Sequence, residues 1–115
     1  MKIKTILVAA AVATLAGNAY AHPPSDIVLS FDGQSKTLQV RALHAVSTPK
    51  THYIGKITVT LNGRQQAVLQ QFTLQGDEKY QDAVYRIPEA AAGMTIGVTA
   101  TCNIRGSRTK TLLVK

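Results

Sequence analysis

Residues 53–63 read Tyr-Ile-Gly-Lys-Ile-Thr-Val-Thr-Leu-Asn-Gly. Tyr53, Ile57, Val59 and Leu61 alternate with Lys56, Thr58 and Thr60, the period-two pattern of a strand with one buried face. Asn62-Gly63 closes it with the strongest short hairpin signal, because a type I′ turn needs positive φ at both central residues. The chain is expected to return over Gln65 to Leu74, carrying Ala67, Val68, Leu69 and Phe72. One antiparallel hairpin is therefore legible in the middle of the chain.

The same alternation recurs on both sides. Ile27 to Phe31 is a short apolar run followed by a turn at Asp32-Gly33. Thr37 to His44 places Leu38, Val40, Ala42 and His44 on one face, and Ser47, Thr48 and Pro49 mark a loop after it. Gly76 to Lys79 reads as a charged turn, Ala83 to Ile87 as a strand ended by Pro88, and Glu89 to Gly93 as at most one helical turn. Met94 to Cys102 and Thr109 to Val114 complete the set, joined by a loop over 103–108. Seven short strands with no sustained helical period predict an all-β, immunoglobulin-like β-sandwich.

The first 21 residues stand apart. Lys2 and Lys4 precede an apolar run from Ile6 to Ala16, and Ala19-Tyr20-Ala21 offers small residues where a signal peptidase reads. Residues 1–21 are expected to be a secretory signal peptide and residues 22–115 a single domain, exported to the periplasm in a cell with two membranes. The apolar run is too short for a bilayer span of about 20 residues. The segment carries two lysines and no acid, so its removal lowers the formal charge from +7 to +5. Such a balance attracts small anions. The basic residues are scattered and lack an aromatic platform, which argues against nucleic acid as a partner.

The chemistry-bearing residues are few. Cys102 is the only cysteine, in phase with Ile96, Val98 and Ala100, so its thiol is expected to point inward. Without a partner in its own chain it is a buried inert residue, half of an intermolecular bridge, or a metal-bound thiolate. His22, His44 and His52 are all the histidines, and each falls where a strand meets a loop or an extended segment. Inward histidines are often hydrogen-bonded core residues, but three imidazoles and a thiolate also suit iron, copper or zinc. The acids Asp26, Asp32, Asp77, Glu78, Asp82 and Glu89 lie in or beside turns, with no spacing that suggests paired acid–base work. No glycine-rich phosphate loop is present.

Three segments carry a family resemblance. His44, a Pro-containing loop and His52-Tyr53-Ile54, then Cys102-Asn103-Ile104-Arg105-Gly106, then His22-Pro23-Pro24, resemble the corresponding motifs of superoxide reductases, the desulfoferrodoxin and neelaredoxin family. The resemblance implies an immunoglobulin-like sandwich around a mononuclear non-haem iron. It places His22, His44 and His52 equatorially and Cys102 axially, with the remaining position open for one-electron reduction of superoxide to peroxide. Superoxide or another small anion, and an external electron-donor protein, are the partners it implies; self-association into a homo-oligomer is a further expectation.

The pattern departs from the family at two places. Arg105 stands where the family's fourth histidine would be, and a guanidinium does not ligate metal. Arg105 is instead a candidate contact for the anion. Tyr20-Ala21 replaces the family's Glu-Lys pair. If cleavage follows Ala21, the His22 α-amine becomes available to bind metal beside its own imidazole, taking the place of the missing histidine. The alternative functions are a periplasmic copper or other metal-binding protein without catalysis, and a metal-free immunoglobulin-like interaction module.

Overall fold

The computed structural model describes residues 22–115, and the expected signal peptide, residues 1–21, lies outside the described residues. Seven strands follow in order: β1 (Asp26–Asp32), β2 (Thr37–Leu43), β3 (Ile54–Leu61), β4 (Gln65–Gln71), β5 (Tyr80–Arg86), β6 (Thr95–Cys102) and β7 (Ser107–Leu113). They form two antiparallel sheets, β1-β2-β5 and β4-β3-β6-β7. The protein is an immunoglobulin-like β-sandwich, with β4 on the sheet of β3, β6 and β7 rather than on the sheet of β1, β2 and β5.

The alternating faces meet between the sheets. Ile27, Leu38, Val40 and Ala42 from one sheet and Ile57, Val59, Leu61, Ile96, Val98 and Ala100 from the other are buried. Burying each of these aliphatic side chains contributes roughly 1.5–3 kcal/mol, less for alanine, which is what holds two otherwise polar sheets together. The Asn62-Gly63 turn is as expected: φ is 53° and 69°, and Arg64 N donates to the Leu61 carbonyl at 3.1 Å.

Three local expectations are corrected. The inward residue at the start of β3 is Ile54, fully buried, rather than Tyr53, because the pairing of β3 with β6 shifts register between Ile54 and Lys56. A bulge adds a residue and reverses the side-chain phase. β5 begins at Tyr80 instead of Ala83, since Leu43 of β2 pairs with Tyr80 and extends the ladder. Residues 89–93 form separate turns and no helix, with Gly93 at φ 91°.

The connectivity gathers particular termini at one end of the sandwich. Leu43 at the end of β2 lies opposite Asp26 at the start of β1 and Tyr80 at the start of β5. Ile54 at the start of β3 lies opposite Cys102 at the end of β6. The segment before β1, the β2–β3 and β4–β5 connections and the β6–β7 loop therefore converge there. Those segments hold all three histidines, and Cys102 closes the strand beside them.

Candidate metal centre

His44 directly follows β2 and continues its inward phase from Ala42. Its N–H donates to the Lys79 carbonyl at 2.8 Å, which keeps the backbone sheet-like for one more residue. The imidazole is fully buried. Nδ1 donates to Gln75 Oε1 at 2.9 Å, and Nε2 lies 3.0 Å from the His22 carbonyl oxygen.

His52 sits at the end of a tight turn in which Thr51 N and His52 N both donate to the Thr48 carbonyl. Asn103 then secures the chain on either side of it. Its Nδ2 donates to the Thr51 carbonyl at 3.0 Å, its Oδ1 accepts from Tyr53 N at 2.8 Å, and its own N–H donates to the Tyr53 carbonyl at 2.9 Å. The ring is buried, and its Nε2 has no hydrogen-bond partner. A buried donor or acceptor left in this way costs about 1–3 kcal/mol. Burial first, and then the neighbouring His44 and His22, hold the His52 imidazole below the usual histidine range, favouring the neutral form that binds metal.

His22 is half-buried on the extended segment before β1. Its Nε2 lies 3.0 Å from the Ala45 carbonyl and its Nδ1 3.0 Å from the Pro23 carbonyl. The segment is held by Arg108 Nε, which donates to the Pro24 carbonyl at 2.8 Å, and by the packing of Gly106 against Pro23.

These three rings form one cluster. Their centroids are separated by 4.7 Å (His22 and His44), 4.8 Å (His44 and His52) and 5.1 Å (His22 and His52). One ring nitrogen from each lies within 4.8 Å of the other two, so the three buried or half-buried histidines are placed to hold a metal ion. With metal–imidazole bonds of about 2.1 Å, two donor nitrogens stand at most about 4.2 Å apart, so small side-chain rotations suffice to close the site. The partnerless Nε2 of His52 is the independent sign that the cluster suits a cation.

The Cys102 sulfur is not among the grouped donor atoms. Cys102 is buried, as its strand phase implied, and is unpaired. Its Sγ accepts from Ile104 N at 3.4 Å, and its own N–H donates to the Gly106 carbonyl at 2.9 Å, closing the loop. Arg105 is exposed on the same loop.

Two residues of this site carried no role in the sequence reading. Gln75, only 2% exposed, bonds to His44, Ile54 and Asp77, and Asn103 frames His52. A buried glutamine in a polar connection gives no signal in one dimension, whereas the asparagine next to the only cysteine lay within a motif already quoted. No family model, curated protein or solved structure matches the chain.

Proposed function

We propose that this protein is an exported mononuclear non-haem iron protein of the superoxide reductase type. In this reading His22, His44, His52 and Cys102 would hold the iron, which would supply the electron for reducing superoxide. The observation that carries it is the histidine cluster with the partnerless His52 nitrogen. The backbone N–H directed at Cys102 Sγ, from a loop packed on the His22 segment, supports the fourth ligand.

When bound, ferrous iron supplies one electron that, with two protons, converts superoxide to hydrogen peroxide, and an external donor protein restores it. The chain's own residues do the rest. The sandwich end converges the imidazoles, burial favours the neutral form of His52, Gln75 bonds to the His44 ring and Asn103 frames His52. Arg105, exposed on the loop after Cys102, would offer a fixed positive charge to the incoming anion.

A second reading is a copper or other metal carrier without catalysis. It is favoured by the composition of the cluster, three imidazoles with the sulfur outside the group. Elemental analysis and a visible spectrum of protein processed from its own leader separate the two. Bound iron with a sulfur-to-iron charge-transfer band, lost in Cys102→Ser, supports the first. Copper or zinc with no sulfur band supports the second, and absence of metal with unchanged stability in chelator overturns both.

A further inference from the structure

The side chain of Gln75 has one orientation available to it. Its Nε2 donates to the His44 carbonyl at 2.7 Å and to the Asp77 carbonyl at 2.8 Å, and its Oε1 accepts from Ile54 N at 3.1 Å. Reversing the amide would set its oxygen against two carbonyls and its NH₂ against an N–H. Three backbone groups thus determine where Oε1 points, and it points at His44 Nδ1, 2.9 Å away. That nitrogen must carry the proton. In a neutral imidazole the other nitrogen, Nε2, is then a bare lone pair.

Nε2 of His44 lies 3.0 Å from the His22 carbonyl oxygen. A lone pair facing a carbonyl oxygen is repulsive, whereas an Nε2–H facing it would be a good hydrogen bond. The Nε2–H tautomer, which free histidine side chains favour, would satisfy that carbonyl and leave the nitrogen occupied. Two arrangements therefore compete for one ring, and the neighbour at Nδ1 decides between them.

We propose that Gln75 is a positioning residue that locks His44 in the Nδ1–H tautomer, so that Nε2 is kept open as a donor atom. The role rests on reading the cluster as a metal centre, and it explains why a buried glutamine is spent on this ring. Outer partners that fix a ligand's tautomer typically change metal affinity by about 10–100-fold when removed.

The test compares wild type with Gln75→Met and Gln75→Glu. Both variants lose the amide N–H groups to the His44 and Asp77 carbonyls, so a general loss of stability is common to them; only Gln75→Glu retains an acceptor for Nδ1. Long-range ¹⁵N–¹H NMR of the metal-free protein at mildly alkaline pH reads the tautomer, and cobalt(II) titration reads affinity. The expected result is Nδ1–H in wild type and Gln75→Glu. Gln75→Met should show Nε2–H, with cobalt(II) affinity about 10–100-fold below that of Gln75→Glu. An Nε2–H or an imidazolium at His44 in wild type, which needs no variant to fold, overturns the proposal. So does Gln75→Met binding cobalt(II) as tightly as wild type. If wild type shows Nδ1–H yet takes up no cobalt(II), the metal reading falls and the tautomer lock stands.

Discussion

Gly106 and Pro23, 83 positions apart in sequence, touch so closely that a Cβ on the glycine would lie 2.9 Å from the proline Cβ. Gly106 also has φ 84°, in the region that side chains other than glycine's rarely adopt. One contact therefore joins the loop after Cys102 to the residue after His22. Gly106→Ala is expected to lower stability by at least about 1–3 kcal/mol from backbone strain alone. It should also displace the His22 segment, so cobalt(II) affinity falls as well. Urea denaturation and metal titration on the same sample check both effects.

Asn103 supplies the corresponding tie for His52. Asn103→Ala removes the acceptor for Tyr53 N–H and the donor to the Thr51 carbonyl, and is expected to cost about 1–3 kcal/mol. Asn103→Asp keeps the acceptor and loses the donor, so it should fall between wild type and alanine. Chemical denaturation gives the order. Metal affinity is expected to follow the same order, because both bonds flank His52.

His52→Leu should separate stability from function. The metal-free protein carries a buried imidazole nitrogen without a partner, and leucine removes that polar atom while retaining apolar volume. The variant is expected to be as stable as the metal-free wild type or more so, by up to about 1–3 kcal/mol, and to lose metal uptake. Denaturation in chelator together with elemental analysis tests it. A marked loss of stability would mean that the ring is a structural core histidine.

The alkaline limb of stability is expected to depend on Tyr85. Its hydroxyl donates to Gln70 Oε1 at 2.5 Å, linking β5 to β4 across the two sheets, and burial pushes the phenol up to about 12. Because the folded value lies above the unfolded one near 10, the stabilisation is complete below about pH 10 and is lost as pH rises through 10 towards 12. Denaturation midpoints of wild type should therefore fall more steeply over that range than those of Tyr85→Phe. Equal slopes would remove the assigned cause.

Much of the site was visible before folding is considered. His22, His44 and His52 stood out because they are the only histidines and lie where strands begin or end, and the structure brings them into one cluster. Their supports were not visible. Gln75 is 31 positions from His44, and Asn103 is 50 or more from the residues it holds, so no local pattern connects them. The mistaken phase at Tyr53 has a similar origin: the register shift after Ile54 arises between β3 and β6, and Gly55 there permits the close approach of Asn103.

Alternation of apolar and polar residues, together with Asn62-Gly63, determined the sandwich from the chain itself, since a two-residue period and a left-handed turn are properties of neighbouring residues. Which strand termini share an end, how far three rings lie from one another, and which nitrogen of His44 is left open were decided only by tertiary structure. Those properties depend on hydrogen bonds between distant backbone and side-chain groups, and such bonds exist only once the two sheets have closed on their common core.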